Sequence, residues 1–245
     1  MPRLTPSLVL TSAVAAFVLA LGPTPAAQGQ DGHGVYHTQF ENDWVRLVRV
    51  RYPANSKVPL HGHPPSVTAY VYLSASSPVR FTHQGSRTHV VTRQPTTPGG
   101  FRVSRGGDET HSAENLGAQA SDFLRVEFKT DPAGAGSPFY RDNRPLGAVT
   151  ANTADVRFTN AQMRITRVGV PAGQTAEIAT SAEAPALLIA LSEATLTADG
   201  AAAALKTGQE RWVTAGRRER LTNAGPAAVE LLRIDVLTAP RRGGS

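Results

Sequence analysis

The chain has 245 residues, enough for one large or two small domains, and 40% of them are apolar whereas 6% are aromatic. The absence of cysteine excludes structural disulfides and lipid attachment through cysteine. The formal net charge is +6 at pH 7, yet only three of the 25 basic residues are lysines and the arginines are spread along the chain. Without a basic patch or a recognisable module, we expect no nucleic-acid partner.

The first residues have the pattern of an export signal. Arg3 supplies a positive start, Leu8–Leu21 is apolar, and small residues follow around Ala26. A single membrane anchor is the alternative, but the apolar run is shorter than the ~20 residues that a span needs. We therefore expect a signal peptide over residues 1–29, cleavage on export, no stable membrane anchor afterwards, and a periplasmic or secreted protein.

The rest of the chain reads as short strands separated by turns, because Gly and Pro are frequent and scattered. In the first half we expect strands at residues 44–52, 58–63, 67–73, 79–83, 88–92, 101–104 and 123–129. Pro64 and Pro65 are expected to break the second of these strands or to force a bulge. In the last one, Leu124, Val126 and Phe128 are expected to face the core and the charged residues between them to face solvent.

Two histidines, His61 and His63, stand two residues apart in the second expected strand. Residues i and i+2 of a strand point to the same face, so the two imidazoles would project side by side. His111, from a later strand, is the candidate third ligand of a three-nitrogen metal site. Imidazole suits Zn, Fe, Cu and Ni, and three ligands leave positions open for water or substrate. The alternative is three unrelated histidines.

Three nearby residues are placed outside this site. His83 and His89 flank an expected hairpin turn and are interpreted as a solvent-facing cross-strand pair. Glu114 is out of phase with His111 in a regular strand, so its carboxylate is expected to point away from the site.

The second half of the chain repeats the first. Residues 45–63 align without a gap on residues 163–181, and after a ten-residue loop deletion residues 123–129 align on 231–237. Two matching registers predict a duplicated β domain, since a repeat of this length is too long for a solenoid unit.

The candidate ligands are not repeated. His61 aligns with Ala179, His63 with Ser181 and His111 with Glu219. Because the second copy keeps the framework without the imidazoles, the histidines of the first copy are expected to serve a site rather than the core.

These residues resemble the motifs of the cupin superfamily. The first cupin motif runs G-x5-H-x-H-x3-4-E-x6-G, and here Asn55 stands for its first Gly, with five residues between it and His61. The second runs G-x5-P-x-G-x2-H-x3-N, and Gly100, His111 and Asn115 keep its spacing. One departure is clear: Val67 and Thr68 stand where the motif has its glutamate.

The resemblance implies an all-β fold of two tandem cupin double-stranded β-helix (jelly-roll) barrels, the second degenerate. We place the first cupin domain at residues 35–130 and the second at 151–240, with a linker at 131–150, where the chain is rich in Gly, Pro and polar residues. The resemblance also implies a divalent transition metal (Fe, Mn, Zn or Ni) held by His61, His63 and His111. A neutral ligand set would leave the charge of the metal uncompensated, which favours an anionic substrate or hydroxide as the next ligand.

Three hypotheses on function follow. The first is an exported metal-binding cupin that acts on a small molecule, in its sharper form a metal-dependent oxidoreductase of the dioxygenase kind. The second is a non-catalytic sensor or carrier of a small molecule. The third is a structural bicupin with a vestigial metal site, and self-association as a homodimer stays open.

Overall fold

A computed structural model describes residues 35–85, 88–107, 109–131 and 139–241, which form 19 β-strands and no helix. No helix in these ranges has the length and apolarity that a membrane crossing requires. The expected signal peptide at residues 1–29 lies outside the described residues.

The first ten strands build one barrel from two sheets. A six-stranded sheet has the order β1-β2-β9-β4-β7-β10 and a four-stranded sheet the order β3-β8-β5-β6. The strands are β1 (Tyr36–Glu41), β2 (Val45–Tyr52), β3 (Lys57–His63), β4 (Thr68–Tyr72), β5 (Val79–Gln84), β6 (His89–Arg93), β7 (Phe101–Ser104), β8 (Glu109–Asn115), β9 (Ser121–Phe128) and β10 (Tyr140–Asp142).

The remaining strands build a second barrel of the same kind. Its five-stranded sheet has the order β11-β12-β19-β14-β17 and its four-stranded sheet the order β13-β18-β15-β16. The strands are β11 (Thr153–Thr159), β12 (Met163–Val170), β13 (Thr175–Ala179), β14 (Ala186–Ala190), β15 (Leu196–Ala198), β16 (Ala201–Ala202), β17 (Glu210–Val213), β18 (Arg218–Asn223) and β19 (Val229–Val236).

Equivalent strands of the two barrels pair in the same register. Val45 lies opposite Phe128, and the aligned residues Met163 and Val236 lie opposite each other in the second barrel. The fold is therefore all-β with two jelly rolls, and the duplication seen in the sequence is also present in the sheets. The domain boundaries remain a prediction; β10, inside the segment expected to be a linker, pairs with β7 of the first barrel.

The largest apolar core lies between the barrels rather than inside either one. Val45, Leu124 and Val126 of the first barrel share a buried cluster with Met163 and Ile234 of the second. The two large sheets therefore pack face to face, as in a sandwich, through the faces that point away from the barrel interiors.

This packing corrects the expectation for β9. Leu124, Val126 and Phe128 are buried between the barrels, whereas Arg125 and Glu127 point into the first barrel and are also buried. Of the charged residues expected in solvent, only Lys129 keeps substantial exposure. Alternation correctly separates the two faces of the strand, but both faces of this sheet are covered.

Polar contacts also join the barrels. The Gln39 side-chain amide donates to the Gly208 carbonyl at 2.8 Å, and the Gln162 amide donates to Thr130 Oγ1 at 3.0 Å. The two barrels should consequently unfold together.

Leu124→Ala tests this coupling, because it opens a cavity in the shared core. We expect a loss of about 2–5 kcal/mol in the free energy of unfolding, with both barrels unfolding in one transition. The control Val156→Ala, at a half-exposed position, should stay within about 0.5 kcal/mol of the parent. Urea denaturation followed by tryptophan fluorescence and circular dichroism measures both. Two separate transitions, with only one shifted, would contradict the shared core.

Candidate metal centre

A bulge in β3 sets which residues of this strand face the barrel interior. Val58 lies opposite Ala113 and His61 opposite His111, so Pro59 and Leu60 together oppose only one residue of β8. Proline has no N–H to donate to the ladder and is tolerated at bulges. The break expected at Pro64 and Pro65 is present as well, since β3 ends at His63 immediately before them.

The extra residue changes the face on which the histidines lie. Val58 is buried inside the barrel, Leu60 is 48% exposed, and His61 and His63 then return to the interior face. In the second barrel β13 pairs with β18 without a shift, and Ile178, which aligns with Leu60, is 2% exposed in the barrel core. Without the bulge, Ala179 and Ser181 are exposed.

The structure brings the three predicted site residues together. The ring centroids of His61 and His63 are 4.8 Å apart, as are those of His61 and His111, and those of His63 and His111 are 5.0 Å apart. One nitrogen of each ring lies within 4.8 Å of the corresponding nitrogen of the other two, so the three residues could hold a metal ion.

Backbone and side-chain contacts fix the orientation of His61. Its Nδ1 lies 2.8 Å from the Pro59 carbonyl, which can only accept, so Nδ1 carries the proton and Nε2 is the acceptor. The Tyr36 hydroxyl lies 2.6 Å from His61 Nε2 and therefore donates to it. The Tyr52 hydroxyl lies 3.0 Å from that of Tyr36. Burial raises the pKa of Tyr36 and raises that of Tyr52 to about 12, so both phenols stay neutral.

A carboxylate lies behind His111. Glu109 Oε1 is 3.2 Å from His111 Nδ1, an ion-pair distance although the two groups are not aligned as a hydrogen bond. Burial alone would raise the pKa of Glu109, but His111 and the nearby Arg93 outweigh burial and lower it to about 2. A carboxylate on the outer nitrogen of a ligating histidine is a recurring support of metal sites, because it orients the ring and raises its basicity.

The remaining ring nitrogens suit a metal. His63 Nε2 and His111 Nε2 are buried and have no hydrogen-bond partner among the described residues. Burial, and then the positive charge of Arg125, lower the pKa of His63 to about 2, so its ring is neutral. Buried polar atoms are normally satisfied, and three imidazoles form the ligand set that zinc, iron and nickel accept. These residues therefore fit a divalent transition ion.

The other two histidines differ from their expected role. His83 stacks on His89 with centroids 4.6 Å apart, as a cross-strand pair should, but His83 also faces Glu109 at 3.6 Å. With Glu109 and His111 it forms a second group close enough to hold an ion. Glu114 points away from the site and pairs with Arg80 at 3.2 Å.

Sequence reasoning missed Tyr36 and Glu109. Tyr36 comes from β1, and only the pairing of β1 with β2 brings it to the histidines. Glu109 has a weak signal, since it stands two residues before His111 and therefore on the same face of β8.

In the second barrel Glu219 replaces His111 and binds Arg211 Nε at 2.8 Å, so an internal ion pair occupies the equivalent position.

Comparison with solved structures supports the fold. Bacterial pirin YhhW from Escherichia coli in complex with nickel(II) matches with a TM-score of 0.60 and 15% identity, over 86% of this chain and 96% of that one. AerE from Microcystis aeruginosa gives a TM-score of 0.54 and 12% identity, over 83% and 97%.

A third match is a mutant of salicylate 1,2-dioxygenase from Pseudoaminobacter salicylatoxidans in complex with gentisate. Its TM-score is 0.51 at 13% identity, over 79% of this chain and 69% of that one. No protein-family model and no curated protein sequence matches the chain. The structural matches establish the cupin fold, here as two tandem barrels.

Deletions in β3 test the role of the bulge. Deletion of Leu60 removes the extra residue, so Val58, Pro59 and His61 would follow one another in a regular strand with His61 and His63 still on the interior face, and we expect metal binding to be retained. Deletion of both Pro59 and Leu60 moves the histidines by one further residue and should turn them outward, so we expect metal binding to be lost while the β circular-dichroism spectrum is retained. Leu60→Ala, which keeps the bulge and truncates an exposed side chain, should bind metal like the parent. Undiminished metal binding by the double-deletion variant would show that the residue count between Val58 and His61 does not set the face.

Glu109→Gln tests the support behind His111. The amide keeps the size of the side chain but loses the charge, so we expect metal affinity to fall by about tenfold. Glu114→Gln, on the outer face of the same strand, is the matched control and should leave affinity unchanged. Competition with a chromogenic chelator measures both affinities. Equal affinities for the two variants would exclude Glu109 from the site.

Proposed function

We propose that the first barrel holds one divalent transition-metal ion through His61, His63 and His111 and uses it on a small molecule, as an oxidoreductase of the dioxygenase kind. The observation that carries the proposal is the convergence of three imidazoles, two of which present buried Nε2 atoms without a partner among the described residues. The nickel(II) complex of the pirin neighbour and the dioxygenase neighbour with gentisate support this choice.

A bound transition ion would supply Lewis-acid or redox chemistry to a small molecule beside it. The protein contributes the orientation of the ligands: the Pro59 carbonyl holds the His61 tautomer, and Glu109 sits behind His111. The Tyr36 hydroxyl donates to His61 Nε2, the nitrogen that would bind the ion. Metal binding by His61 would therefore release this O–H, and the neutral hydroxyl, still beside the Tyr52 hydroxyl, would be free to donate a hydrogen bond to a molecule at the centre.

The space beside the centre suits a small molecule. A pocket of about 230 Å³ is lined by Tyr70, Glu109 and Arg125, together with Pro64 and Ser66 at its edge. Both Tyr70 and Tyr72 line the barrel interior, and the aromatic cluster around Phe123 closes the space behind them. We also propose, from the sequence of residues 1–29, that the protein works in the periplasm or outside the cell.

Elemental analysis of protein purified without a His-tag or chelator tests the metal proposal. We expect close to one transition metal per chain in the parent and none in the His61→Ala/His111→Ala double variant. His89→Ala, at an exposed position of the same sheet, is the control and should keep the metal. Absence of metal from the parent after growth in several metal-supplemented media would overturn the proposal.

The metal found also directs the test of activity. Iron predicts oxygen uptake with the substrate, whereas zinc or nickel predicts other chemistry. Stabilisation of the fold by a ligand, with metal present and no product formed, would favour a non-catalytic binding module.

A further inference from the structure

Arg102 is a buried cation without an anion among the described residues. It lies on β7 with 5% exposure, because its neighbours Phe101 and Val103 take the face between the barrels. Its guanidinium carbon is 3.8 Å from the centroid of the Tyr70 ring. Its Nε has no hydrogen-bond partner, and the guanidinium forms no ion pair with a described residue. Stacking on an aromatic ring offsets only part of the cost of burying a charge.

A second arginine, Arg93, also forms no ion pair with a described residue, although the Glu109 carboxylate lies near enough to act on its charge. Arg93 lies on β6 with its guanidinium carbon 4.7 Å from the centroid of the Phe81 ring, and Phe81 in turn contacts His111. Arg93 and Arg102 line the same small space, and burial, followed by the charge of Arg102, lowers the pKa of Arg93.

The two residues are exceptions within the chain. Every other described arginine that is buried or half-buried forms an ion pair with a carboxylate. Arg125 pairs with Glu127 at 3.2 Å, Arg157 with Asp142 at 2.6 Å and Arg233 with Asp235 at 2.6 Å, and Arg46, Arg49, Arg167 and Arg211 are paired as well. A buried cation that lacks a partner, in a chain that otherwise supplies one, indicates a ligand with negative charge.

The cavity between these arginines limits the size and shape of the anion. Arg93 and Arg102 line a space of about 40 Å³ together with aromatic side chains, among them Tyr52, Tyr72 and Phe81. This volume accommodates one small group, since a water molecule occupies roughly 30 Å³ in the liquid. Guanidinium forks match a planar carboxylate through two parallel hydrogen bonds, and the flat aromatic walls suit a planar group better than a tetrahedral one.

One layer of aromatic side chains separates the cavity from the histidine centre. Phe81 lines the cavity and contacts His111 with ring centroids 5.0 Å apart. Tyr70 stands between the cavity and the pocket of about 230 Å³ that Glu109 and Arg125 line. A molecule with its anionic group between the arginines would have to displace the Tyr70 ring to reach the histidines.

We propose that the first barrel binds a small organic carboxylate, with the carboxylate between Arg93 and Arg102 and the rest of the molecule toward His61, His63 and His111. As a substrate assignment this rests on the proposed function; as a binding site it rests on the arginines alone. The site selects for a planar, negatively charged group, and the aromatic walls favour a ligand whose remaining part is also flat and unsaturated.

Binding of benzoate, its neutral isostere benzamide, acetate and inorganic phosphate to the purified protein tests the proposal. Isothermal titration calorimetry and thermal shift are measured on metal-loaded and on chelator-treated protein. We expect benzoate to bind and to raise the melting temperature, acetate to bind more weakly, and benzamide to have no effect. Arg102→Gln should weaken benzoate by about 10–100-fold, the usual effect of losing hydrogen bonds to a charged group.

Further variants keep the test decisive. Arg102→Lys, which keeps the charge but loses the fork, should bind with intermediate affinity. Arg80→Gln, which removes an exposed arginine of the same barrel, should bind like the parent. If Arg102→Gln does not fold, Arg93→Gln provides the same comparison with the same expected loss.

The outcomes separate this inference from the proposed function. Equal binding of benzamide, tighter binding of phosphate than of benzoate, unchanged binding in Arg102→Gln, or no binding of either carboxylate up to millimolar concentration would overturn the carboxylate site. Metal content measured on the same samples reports on the proposed function independently. Benzoate binding by a protein that takes up no metal would support the anion site and contradict the metalloenzyme.

Discussion

The interior of the first barrel depends on one extra residue in β3. Because two residues oppose one between Val58 and His61, the strand changes face, and His61 lies directly opposite His111. The same bulge places the Pro59 carbonyl against His61 Nδ1, so it selects the tautomer as well as the face. The second barrel shows the alternative, in which a regular strand buries Ile178 at the aligned position.

The two barrels therefore differ in what their interiors enclose. The second has an interior closed by aliphatic side chains and by the Glu219–Arg211 pair. The first encloses histidines, tyrosines, the paired Arg125, and two arginines, Arg93 and Arg102, that form no ion pair with a described residue. Buried polar groups of this kind cost stability unless something binds to them. The apolar core shared between the large sheets gives the first barrel support from outside, so its interior is not required to serve as the main core.

Much of the framework could be predicted from the sequence. The repeat predicts the duplicated barrels. It also aligns Asn55 with Gly173, and both residues have a left-handed backbone conformation, with φ of 54° and 72°. The three histidines could be predicted because they fall in spaced motifs. Arg125 is buried inside the first barrel, whereas alternation predicts that it faces solvent. The alternation pattern does not reveal that a second barrel covers the apolar face of β9. The positions of Tyr36 beside His61 and of Arg102 in the barrel interior could not be predicted, since only pairing between distant strands brings them there.

X-ray absorption spectroscopy at the edge of the bound metal tests the central claim most directly, because it counts the imidazoles. Our account predicts a first shell that contains three imidazole nitrogens, at ~2.0–2.1 Å if the metal is zinc. It further predicts that His63→Ala removes one of them. A shell of oxygen atoms alone, or a spectrum that His63→Ala leaves unchanged, would contradict convergence of the three histidines on a metal.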